Sequence, residues 1–100
     1  MEQYLLGIDL GTSGTKTVLF RPDGTSVASA TWEYPMDQPQ NGWAEQNPEH
    51  WWTAARETIQ AVLAQSGVNA HAVKALGISG QMHGLVMMDD QGQVLHPAIL

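Results

Sequence analysis

The sequence contains no cysteine, which excludes a disulfide framework and any thiolate metal site. Basic residues are scarce: four Lys and Arg stand against ten Asp and Glu, a formal charge of −6. That balance argues against nucleic acid as a partner, because binding a phosphate backbone needs a basic surface. It leaves nucleotides open, since a few backbone amides and one or two cations suffice for a phosphate group. No segment approaches the ~20 apolar residues that span a bilayer. The N-terminus also lacks the basic stretch and apolar core of a signal peptide. A cytoplasmic protein with no membrane partner is the expectation.

What is present is globular in composition, 43% hydrophobic and 14% charged. One hundred residues make at most one domain. The final Pro97-Ala98-Ile99-Leu100 is an apolar run without a polar tail, whereas domain termini are usually exposed and polar. On that ground a piece of a longer protein is expected.

The stretch that organises the rest is Leu5-Leu6-Gly7-Ile8-Asp9-Leu10-Gly11-Thr12-Ser13-Gly14-Thr15-Lys16. An apolar run ends in a carboxylate, enters a Gly/Ser/Thr turn and leaves through a lysine into a second strand-like run ending at Phe20. Tyr4 to Ile8 reads as a strand covered on both faces, and Lys16 to Phe20 is rich in strand-forming residues. Arg21-Pro22-Asp23-Gly24-Thr25 fits a type I turn. Ser26 to Tyr34 alternates, with Ala28, Ala30, Trp32 and Tyr34 on one face, completing an antiparallel meander. Pro35 to Asn47 reads as a loop, long enough to suggest a function or docking by Trp43.

Asn47-Pro48 is a helix start, an N-cap followed by proline at the first helical position. Trp51, Ala55, Ile59, Val62 and Leu63 follow at helical spacing, and Gly67 supplies the stop. Val73 to Ile78 is the next strand; a strand–helix–strand crossover makes it parallel to the first. Leu85 to Met88 and Val94-Leu95 flank Asp89-Asp90-Gln91-Gly92 as a short hairpin. Asp89 and Asp90 are turn residues on this reading. The fold class is therefore α/β with a mixed sheet, βββαβ plus a short hairpin.

The turn at Gly11 to Gly14 fits neither common nucleotide motif. A Walker loop needs glycine adjacent to lysine with a helix following, but Thr15 separates Gly14 from Lys16 and a strand follows. The Rossmann spacing of glycines is also absent. The remaining pattern, D-x-G-T-S-G-x-K on a hairpin, resembles the phosphate loop of actin-like and sugar-kinase ATPases; an ordinary Gly/Thr-rich turn is the alternative. A second candidate site is Gln81, Met82 and His83, at the carboxyl end of the strand beside the first, where open α/β sheets bind ligands. By residue type alone it reads more readily as a loop histidine beside a core methionine. His50, His71 and His96 have no metal-ligand spacing.

Several stretches together resemble the FGGY carbohydrate kinases: Tyr4 to Ser13, Trp43-Ala44-Glu45-Gln46-Asn47-Pro48-Glu49-His50-Trp51-Trp52, and Pro97 to Leu100. Val73 to Gly84, with Met82-His83, resembles the xylulokinase branch in particular. The resemblance implies a ribonuclease-H-like or actin-like ATPase fold, with residues 1–100 the N-terminal portion of the first of two such domains. It implies phosphorylation of a ketopentose, D-xylulose with ATP, as part of xylose metabolism. Ribulose, gluconate or glycerol kinases, or a non-enzymatic nucleotide-binding module, are the alternatives. By position, Asp9 would be catalytic and hold Mg²⁺ through water, and Gly11, Thr12, Ser13 and Lys16 would contact ATP phosphates. Gln81, Met82 and His83 would line the sugar site. The family's catalytic base lies beyond residue 100, so these residues alone are expected not to turn over. The implied partners are a sugar and ATP, with no nucleic acid or membrane; a homodimer is left open.

Overall fold

The computed structural model describes residues 2–80 and 85–100. Three strands form the expected meander: β1 (Tyr4–Leu10), β2 (Gly14–Phe20) and β3 (Ser26–Glu33). The β2–β3 turn closes with the Gly24 amide donating to the Arg21 carbonyl at 2.9 Å, as a type I turn requires. Helix α1 (Pro48–Ser66) starts at the Asn47 cap, whose side chain accepts from the Glu49 amide at 3.0 Å. It stops at Gly67, whose φ of 72° is left-handed and favours glycine. After a 3-10 turn (Ala70–Ala72), β5 (Val73–Ser79) pairs parallel to β1 and gives the order β3-β2-β1-β5. The intervening β4 (Glu45–Gln46) pairs antiparallel with β6 (Ala98–Ile99) as a separate two-stranded ribbon.

The core lies between α1 and one face of the sheet. Tyr4, Leu6 and Leu19 are buried there against Val62, with Val27, Ala28, Ala30 and Ile59 packed around them. Burying a side chain such as Leu19 or Val62 contributes roughly 1.5–3 kcal/mol. Thr17 and Thr58 are also buried, and their hydroxyls pair at 2.7 Å, so this buried polar pair is satisfied. The Thr58 hydroxyl also donates to the Ala54 carbonyl.

Four expectations change. Strand β1 is covered on one face only: Tyr4, Leu6 and Ile8 are buried while Leu5 is exposed, because α1 packs over β2 and β3 on a single side. The buried line of α1 is Ala54, Thr58 and Val62; of the apolar residues counted in the sequence Val62 lies on it, while Trp51, Ala55, Ile59 and Leu63 are half-buried beside it. Small Ala54 and hydroxyl-paired Thr58 let helix and sheet approach, with bulkier Trp51 and Ile59 flanking the contact. Trp43 does not dock the long loop, since it is 52% exposed; the Asp37–Glu45 bridge and the β4–β6 ribbon hold that segment instead. The hairpin at residues 85–95 has its turn, with the Asp89 amide donating to the Gln93 carbonyl, but pairs only through the single Met88–Val94 bridge.

Candidate phosphate-binding site

Side chains alternate across a strand, so the residues absent from the core face line the opposite one. In β1 these are Leu5, Gly7 and Asp9; in β2 they are Lys16, Val18 and Phe20. The register sets Asp9 directly across from Lys16 on one side and Ser79 on the other. The result is an open trough of about 530 Å³ lined by Gly7, Asp9, Lys16, Val18, Phe20, Gly77 and Ser79. Its floor is apolar and glycine-lined, and its polar groups gather at the end from which the hairpin tip projects. Asp9 and Lys16 are both exposed there, and among the described residues no ion pair joins them. Both charges therefore face whatever occupies the trough.

The hairpin tip is tight. The Gly11 amide donates to the Gly14 carbonyl at 2.9 Å, leaving Thr12 and Ser13 as the two exposed central residues. Gly14 has to be glycine because a Cβ there would sit 2.9 Å from the Trp32 carbonyl oxygen of β3. Two exposed hydroxyls, a lysine two positions beyond the turn and a carboxylate two positions before it thus share one end of the sheet. Phosphate oxygens accept from amides, hydroxyls and ammonium groups, while a cation bridging them takes a carboxylate.

Asp9, Gly11, Thr12, Ser13 and Lys16, five of the positions named from the sequence, are brought together. Gln81, Met82 and His83 lie outside the described residues, so the sugar-site expectation has no geometry attached. Sequence reasoning passed over Ser79, which the parallel register delivers beside Asp9. Its signal is its position, the last strand residue before Gly80. It also gave no site role to Tyr34 and Gln46, which hold the tip from behind. The Tyr34 hydroxyl donates to the Gly11 carbonyl and the Gln46 amide to the Thr12 carbonyl. The signal available for Tyr34 was its place at the end of the alternating set of β3.

The family profile described as FGGY family of carbohydrate kinases, N-terminal domain, matches residues 4–100. The chain belongs to the FGGY carbohydrate kinases. Within that family it is 46% identical over 95 residues to the xylulose kinase of Escherichia coli, a match covering 95% of this chain and 19% of that enzyme. It is 39% identical over 101 residues to a glycerol kinase of Methylobacterium nodulans, covering all of this chain and 20% of the relative. Among solved structures, a "xyloylose kinase" from Brucella ovis superposes with a TM-score of 0.92 at 40% identity, covering 98% of this chain and 21% of that one. The chain thus spans about a fifth of the length of the relatives it matches. FGGY membership accounts for the actin-like strand order. Among the described residues no helix is long and apolar enough to cross a membrane.

Proposed function

We propose that the intact protein is an ATP-dependent sugar kinase and that its substrate is D-xylulose, converted to D-xylulose 5-phosphate with release of ADP. The observation that carries the kinase reading is the convergence of Asp9, Lys16 and the Thr12-Ser13 tip at one end of an open sheet face. The ketopentose follows from likeness: a relative named xylulose kinase is the more similar of the two curated ones described, and Met82-His83 matches the xylulokinase pattern.

In this reading the sugar's C5 hydroxyl attacks the γ-phosphorus and gives up its proton to the base expected beyond residue 100 in the full-length protein. The bond from that phosphorus to its bridging oxygen breaks, and ADP leaves. The chain's own residues position and neutralise charge. The Thr12 and Ser13 amides and hydroxyls donate to phosphate oxygens, and Gly11 lets the backbone approach them closely. The Lys16 ammonium offsets the negative charge that builds on the phosphates. Gln81, Met82 and His83 orient the sugar.

A lone, exposed carboxylate fits Mg²⁺, which keeps most of its waters and takes phosphate oxygens as further ligands. Among the described residues no group of three acids or histidines offers an all-protein cage instead. Asp9 is the residue that would hold the ion, through water, and the bound ion supplies charge neutralisation at the phosphates.

The experiment is an ADP-release assay on the full-length protein with D-xylulose, D-ribulose, gluconate and glycerol. The proposal expects kcat/KM to be highest for D-xylulose. Highest activity on glycerol would favour the reading suggested by the glycerol kinase relative. ATP binding without sugar-stimulated hydrolysis would favour a non-enzymatic module.

A further inference from the structure

We infer that Gln46 and Tyr34 are positioning residues that aim the backbone amides of the hairpin tip at the phosphates; this rests on the proposed kinase function. Three successive carbonyls of the tip are each taken by a donor from outside the hairpin. The Tyr34 hydroxyl donates to Gly11, the Gln46 side-chain amide to Thr12, and the Tyr34 backbone amide to Ser13 at 3.2 Å. In a trans peptide the carbonyl and the next residue's N–H point in opposite directions. Pinning the Gly11 and Thr12 carbonyls toward the protein therefore turns the Thr12 and Ser13 amides outward. Among the described residues neither of those amides meets a protein acceptor.

The braces are themselves fixed. Gln46 is 1% exposed, sits in the β4–β6 ribbon, and accepts from the Trp51 indole at 3.0 Å through its own carbonyl. That bond orients its amide, because the oxygen is committed to Trp51 and the NH2 must face Thr12. Tyr34 is also buried, and its hydroxyl lies 3.2 Å from that of Thr15. Residues 34 positions apart in sequence thus join the start of α1 to the phosphate tip. A buried, fully bonded glutamine is a costly choice for mere packing, where an apolar side chain of similar volume would serve.

The test uses the full-length enzyme with Gln46→Met, which keeps length but removes the bonds to Thr12 and Trp51, and Tyr34→Phe, which deletes only a hydroxyl. Steady-state constants are paired with hydrogen exchange at the Thr12 and Ser13 amides in the presence of saturating Mg·ATP. Each variant is expected to lower kcat/KM for ATP by roughly tenfold to a hundredfold, the range a small misplacement produces. The sugar KM should stay within twofold of wild type, and the slowing of exchange that saturating Mg·ATP gives the two tip amides should be largely lost. A variant that lowers the melting temperature but leaves the ATP constants and tip exchange within twofold of wild type overturns the inference. If wild type phosphorylates none of the tested sugars, the kinase reading fails instead. Tip exchange in the two variants then still decides the bracing.

Discussion

The two faces of the four-stranded sheet are built from alternate residues of the same strands, yet they serve opposite ends. One face presents Tyr4, Leu6, Ile8, Thr15, Thr17 and Leu19 to α1 and the chain behind it, and every one of them is buried. The other presents Gly7, Asp9, Lys16 and Ser79 to an open trough. A strand's period of two lets stability and chemistry occupy the same seven residues without sharing a side chain. The consequence of a substitution on β1 or β2 should therefore be readable from the parity of its position.

The sharpest way to break that comparison is Asp9→Asn on the open face. In the full-length enzyme it is expected to lower kcat about 10³-fold, or about 4 kcal/mol of transition-state stabilisation, with the melting temperature unchanged. Steady-state kinetics and calorimetry on the same sample check both halves. Leu19→Ala on the closed face should do the reverse. Leu19 is fully buried, so denaturant titration should find a loss of about 2–5 kcal/mol, with the ATP KM preserved in the fraction that remains folded.

Thr17→Val sharpens the same contrast at smaller scale. It removes the 2.7 Å bond to the Thr58 hydroxyl, but Thr58 keeps its bond to the Ala54 carbonyl and is not orphaned. The expected loss is about 0.5–1.5 kcal/mol, measured the same way.

The smallest effect lies at the hairpin end farthest from the site. Hydrogen bonds from the Thr25 side chain and amide hold the Asp23 carboxyl below its ordinary value. A depressed folded-state pKa means the contribution is present above the ordinary aspartate range. It is lost as pH falls through the lowered value. Asp23→Asn should flatten that shallow acid dependence in a pH series of thermal melts and leave activity alone.

Much of this was legible in the sequence, for local reasons. The Asn47-Pro48 start and the Gly67 stop of α1 are short-range signals and mark the observed ends. The hairpin's identity as neither a Walker nor a Rossmann loop follows from glycine spacing and the strand after Lys16, and the observed β2 bears that out. What escaped depends on contacts between distant residues. The burial of Thr58 in place of Ala55 is decided by Thr17 across the interface. The exposure of Trp43 is decided by a ribbon whose second strand lies more than fifty residues later, at Ala98–Ile99. The tie from Gln46 to Thr12 pairs a side chain with a backbone carbonyl, and no composition or periodicity encodes such a bond. Only the resemblance of the Trp43 to Trp52 segment to other FGGY kinases drew attention to that stretch.

Leu76 and Ile78 on β5 are 48% and 67% exposed, in contrast to their counterparts Leu6 and Ile8 one strand away. The difference follows from where α1 lies: it crosses β2 and β3 and reaches β1 only at its margin.

The claim that the open face receives phosphate through the hairpin tip has one direct measurement. Hydrogen exchange at the Thr12 and Ser13 amides is followed in the full-length enzyme with and without saturating Mg·ATP. The account predicts slowing of roughly tenfold or more at both amides, as expected when an N–H donates to a charged acceptor worth about 1.5–3 kcal/mol. Protection elsewhere in the protein with the tip exchanging at its nucleotide-free rate would contradict it.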